Sequence, residues 1–73
     1  MSVGAPLPYD VDFSKTVFLV VDDKPFYREM AHTALMRARA KDVNQASSVE
    51  TAIQLLNRLG QAIDCVIVDW DIA

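Results

Sequence analysis

The sequence predicts an α/β fold in which three parallel strands stand in the order second-first-third with helices on both faces. Two apolar runs and the segment between them predict it. Val17-Phe18-Leu19-Val20-Val21 runs into Asp22-Asp23, and Cys65-Val66-Ile67-Val68 runs into Asp69-Trp70-Asp71. Short apolar runs that end in polar punctuation read as buried parallel strands. Between them lie two helical stripes separated by a short, half-polar stretch, giving the pattern βαβαβ. A strand that polar belongs at a sheet edge, which leaves the first strand in the middle. Right-handed crossovers that move one way along the sheet and then back put the helices on opposite faces.

Each element has its own justification. Residues 1–15 carry Gly4, Pro6 and Pro8 and read as a flexible N-terminal arm adding little core, with residues 16–73 as the folded part. Thr16 to Val21 forms the central strand. Pro25 suits the first turn of a helix, where its missing N–H costs nothing. Tyr27, Met30, Ala31, Ala34, Leu35 and Ala38 make a stripe running to about Arg39, with Arg28 and His32 off it. Met30 is core filler and Met36 surface scatter. Asp42 to Ala46 is the edge strand, Val43 and Gln45 on one face, Asn44 and Ala46 on the other. Ser47 and Glu50 form a capping box ahead of Val49, Ala52, Ile53, Leu56 and Leu59. Gly60 ends that helix in the left-handed conformation. Ile63 to Asp69 is the last strand, with Cys65 inside it as a small core residue.

Composition narrows the function classes. Seventy-three residues make one small domain, and 52% hydrophobic with 23% charged residues is a globular balance. A net charge of −3 gives no electrostatic footprint for nucleic acid or an anionic membrane. No apolar run approaches bilayer thickness, and no signal-peptide pattern opens the chain, so the expected location is cytoplasmic. One cysteine excludes an internal disulfide.

The candidate chemistry lies at the strand ends. In open parallel sheets ligands bind beyond the carboxyl ends of the strands, at the point where the winding reverses. Asp22, Asp23 and Asp69 converge there, and three such carboxylates repel one another unless a cation shares the site. The plainer alternatives are a helix cap at Pro25 for Asp22 and Asp23 and a surface turn for Asp69 to Asp71; Lys24 either leans over the site and balances its charge or, the favoured reading, is solvated. No second His or Cys stands at metal-ligand spacing from His32.

Val20-Val21-Asp22-Asp23-Lys24-Pro25 and Val66-Ile67-Val68-Asp69-Trp70-Asp71, with helix, edge strand and helix between them, resemble the N-terminal portion of a response-regulator receiver domain. The resemblance covers Thr16 to Ala73 and implies a truncated flavodoxin-like receiver fold. Receivers are themselves an example of the second-first-third order, so that agreement is not independent of the family. Asp69 is then the phosphoacceptor, its carboxylate attacking a phosphohistidine to form a mixed anhydride. Asp22 and Asp23 hold Mg2+, Asp23 directly and Asp22 through water, with Asp69 and the backbone carbonyl of Asp71 as further ligands. The partner is a sensor histidine kinase or a phosphotransfer protein. A whole receiver adds two strands, one ending in Ser or Thr and one carrying a Lys, and three helices. None of these has a counterpart here, and Thr51 and Lys24 are not substitutes.

Two other readings stay open. A pseudo-receiver uses the same fold for protein interaction without phosphorylation. Haloacid-dehalogenase-like phosphatases also carry an apolar strand ending in Asp-x-Asp, with Asp69 as nucleophile and Asp71 as acid and base, but that leaves Asp22 and Asp23 unexplained. The apolar strand from Ile63 to Val68 also lacks an outer neighbour, so a homodimer paired through that edge is expected, with Trp70 and Ile72 packing on the new surface.

Overall fold

The computed structural model describes residues 12–69. Most of the N-terminal arm, and Trp70, Asp71 and Ile72, lie outside the described residues. The elements run β1 (Val17–Val21), α1 (Pro25–Arg37), β2 (Asp42–Ala46), α2 (Val49–Leu59), one 3-10 turn (Gly60–Ala62) and β3 (Cys65–Val68). The three strands are parallel in the order β2-β1-β3. Among the described residues, no helix is long and apolar enough to cross a membrane.

β1 alternates between two small cores. Phe18 and Val20 pack with Val43 and Ala40 beneath Ala31 and Leu35 of α1. Leu19 and Val21 pack with Ala46 and Ala52 on the α2 side, closed by Leu55 and Ile63. The two helices therefore cover opposite faces, as the edge polarity of β2 predicted. Phe13 sets its ring edge-on to Phe18 at 5.4 Å, and its carbonyl accepts from Thr16 and Lys41. The packed unit thus extends back to Phe13, inside the stretch expected to be a flexible arm.

Several expectations need correction. α1 turns Arg28, Ala31, His32 and Leu35 inward, while Tyr27 and Met30 are more than half exposed. Apolar residues surround this helix, so their spacing did not fix its face. α1 also stops at Arg37, two residues early. Arg39 takes the left-handed conformation (φ 68°), Arg39 N–H donates to Met36 and Ala40 N–H to Leu35, a Schellman ending built without glycine. Gly60 is right-handed (φ −49°) and leads into the 3-10 turn. The α2 cap is Ser48, whose Oγ accepts from Thr51 N–H at 3.1 Å, and not Ser47 with Glu50. The cause lies in β2: the Ala46 carbonyl still accepts from Asp22 N–H, so the chain stays extended one residue longer. Of the expected α2 stripe only Ala52 is buried. Leu55 joins it, while Val49, Ile53, Leu56 and Leu59 are exposed along a flank that no described element covers.

β3 departs most from expectation. Its paired residues span Cys65 to Val68, shorter than Ile63 to Asp69, and all are exposed, Cys65 included. Cys65 stands beside Phe18 on the α1 face, but α1 packs mainly over β1 and β2 and leaves Cys65 exposed.

Ser48→Ala is expected to lower the urea unfolding free energy by about 1 kcal/mol, and Ser47→Ala to leave it within about 0.5 kcal/mol. Gly60→Ala is expected to raise it by about 0.4–1 kcal/mol, since a Cβ there meets nothing within 4 Å and the backbone is right-handed. A left-handed Gly60 would make the same change destabilising.

Candidate metal centre

Backbone bonds fix the strand ends before any side chain acts. Asp22 N–H donates to the Ala46 carbonyl at 3.0 Å, and Asp69 N–H donates to the Val21 carbonyl at 3.0 Å. Each bond carries the sheet ladder one residue past its last strand pair. Asp22 and Asp69 are thus held on neighbouring strands at their carboxyl ends, where the winding reverses.

The loop into α1 is equally constrained. Asp22 Oδ1 accepts from Lys24 N–H at 2.9 Å, closing an Asx turn, and Arg28 Nη1 donates to the Asp22 carbonyl at 2.8 Å. Lys24 is extended, as a residue before proline must be, and Pro25 opens the helix. Lys24 occupies the cap position with no side-chain cap bond, so neither Asp22 nor Asp23 caps α1.

One carboxylate oxygen from each of Asp22, Asp23 and Asp69 lies within 4.8 Å of the others. Of the sequence-predicted ligands, these three are brought together; Asp71 lies outside the described residues. The three oxygens are close enough that Asp22, Asp23 and Asp69 would together hold one Mg2+, directly or through water. The donors are hard oxygens and suit Mg2+ chemically. Asp23 is exposed while Asp22 and Asp69 are half-buried, leaving an open mouth lined below by Val20, Ile67, Tyr27 and Ala31.

Lys24 takes the less favoured of the two readings its sequence position allows, leaning over the site and balancing its charge. Its Nζ stands 3.1 Å from Asp23 Oδ1 and 3.2 Å from Asp69 Oδ2, bridging both strand ends where a solvated side chain was expected. The bonds to Asp23, then Asp69, hold its pKa above the usual lysine value. Because the folded value is raised, its charge is present at every pH below about 10.5 and is lost only as pH climbs past the folded value. Near neutrality it is a permanent cation.

Mg2+ titration followed by calorimetry is expected to give weak binding by the chain and none by Asp69→Asn; equal affinities would remove Asp69 from the centre. Comparison with protein-family models, curated proteins and solved structures gives no match for this chain.

Proposed function

We propose that this chain is a phosphoacceptor receiver module of two-component signalling, in which Asp69 takes a phosphoryl group from a phosphohistidine. The convergence of Asp22, Asp23 and Asp69 from two neighbouring strand ends within 4.8 Å carries the reading. An Asp69 carboxylate oxygen attacks phosphorus, the phosphorus–nitrogen bond of the donor breaks, and an acyl phosphate forms as the imidazole leaves. Asp22, Asp23, Asp69 and the Asp71 carbonyl would hold Mg2+, which when bound neutralises charge on the transferring group. Asp22 is rigidly placed by its three backbone and side-chain bonds, and Asp69 by the Val21 carbonyl. The donor is a sensor histidine kinase or phosphotransfer protein, and the compartment is the cytoplasm. The phosphatase reading has no use for Asp22 and Asp23 beside Asp69, and this is why the receiver is preferred.

A pseudo-receiver has one observation in its favour: Lys24 already supplies a cation to the acidic residues. The chain incubated with a small phosphodonor and Mg2+ is expected to gain one phosphoryl group by intact mass, and Asp69→Asn none. Wild-type chain that binds Mg2+ but gains no phosphoryl group would make it an interaction module.

The proposed second partner is another copy of this chain. Val66, Ile67 and Val68 are between 41% and 52% exposed, and the outer edge of β3 is unpaired within the described sheet. Such an edge is a template for another strand. A two-fold axis perpendicular to the sheet would join two β3 edges antiparallel into one continuous sheet. Sedimentation at micromolar concentration is expected to show a dimer; a compact, folded monomer would overturn it.

A further inference from the structure

Lys24 brings its own cation to the acidic cluster and touches all three acidic residues at once. Its N–H donates to Asp22 Oδ1 at 2.9 Å, while its Nζ reaches Asp23 at 3.1 Å and Asp69 at 3.2 Å. The two attachments differ in kind. The backbone contact is locked by the Asx turn and by Pro25, which starts α1 immediately afterwards. The ammonium sits on a flexible stem, its side chain 42% exposed, and can swing into water without disturbing the turn.

A divalent ion held among Asp22, Asp23 and Asp69 would lie beside the ammonium, which already contacts one oxygen of Asp23 and one of Asp69. At Mg2+–oxygen distances of about 2.1 Å, ion and ammonium would stand only a few ångströms apart with charges of the same sign. Like charges that close weaken each other's hold on the pair. Arg28 is no substitute for either, because its guanidinium is engaged by the Asp22 carbonyl.

We propose that Lys24 is a tethered competitor for the divalent cation, its ammonium filling the Asp23–Asp69 pair until the ion displaces it. This rests on the metal centre proposed above and adds its regulation. Without the ion, Lys24 offsets the repulsion of the acidic residues, so the strand ends stay together. With the ion, Lys24 is released to solvent on the rim of the site. A free monovalent ion must compete with a tethered charge of equal size, so the device also favours divalent over monovalent cations.

The test uses the 73-residue chain and Mg2+ alone. Lys24→Met, which keeps the stem and removes the charge, is expected to bind Mg2+ about two- to fivefold more tightly than wild type, the range of a solvent-exposed ion pair. Lys24→Arg is expected to stay near wild type. In wild type, the NMR signals of the Lys24 side chain should move toward those of a free lysine with the same Mg2+ midpoint as the Asp69 amide. Equal or weaker binding by Lys24→Met, or Lys24 signals that ignore Mg2+ while the Asp69 amide responds, would overturn the competition and leave the metal centre standing. Absence of Mg2+ binding in both proteins would remove the centre and this proposal with it. If Lys24→Met does not fold, the wild-type side-chain signals decide alone.

Discussion

β1 is paired along both edges and covered on both faces, and the position of every other element is set by it. Phe18, Leu19, Val20 and Val21 are each at most 4% exposed, and Leu19 is fully buried. Truncating such a residue to alanine typically costs 2–5 kcal/mol, a large share of what so small a domain can have. β2 and β3 hydrogen-bond to β1, while the two helices rest on its alternate side chains. The acidic cluster inherits this rigidity, since Asp22 continues β1 and Asp69 is bonded to its last carbonyl.

Rigid placement of like charges creates an electrostatic problem that a nearby cation must offset. Here the offset comes from the residue directly after the acidic pair. A lysine in that place is reached by Asp22 through the backbone and by Asp23 and Asp69 through the side chain. It stabilises a geometry that would otherwise have to relax outward. The same arrangement keeps one oxygen each of Asp22, Asp23 and Asp69 within 4.8 Å of one another.

The features legible in the sequence were those written in polarity. The half-polar Asp42–Ala46 against two apolar runs is enough to order the strands, and the aspartates that end those runs locate the site. Helix faces were less legible: with Phe26, Tyr27, Met30 and Met36 all outward on α1, spacing alone cannot choose a side. The inward turn is set instead by the entry at Pro25 and the bond from Arg28 to the Asp22 carbonyl. Adjacent serines hid the α2 cap, which is decided by how far β2 stays paired to the chain at Asp22. Arg39 carries no glycine signal for the left-handed turn it makes, and Gly60 carries one for a turn it does not make. The strand order brings Asp69 beside Asp23, so Lys24 over the site is one of two readings, and polarity alone does not choose between it and solvent.

β3 is fastened by polar clamps at its ends more than by burial along its length. At its start, Asp64 N–H donates to the Val17 carbonyl while Asp64 Oδ2 accepts from Val17 N–H, both at 2.8 Å; at its finish, Asp69 bonds to Val21 and to Lys24. Val66, Ile67 and Val68 are 41–52% exposed, so apolar burial holds β3 less firmly than it holds β1. β3 is the least buried of the three strands, so local opening is expected to start there, loosening Asp69 before β1 and β2. Such fraying would separate Asp69 from Asp22 and Asp23 without requiring the domain to unfold. Whatever bridges Asp23 and Asp69 also decides how long that strand stays docked.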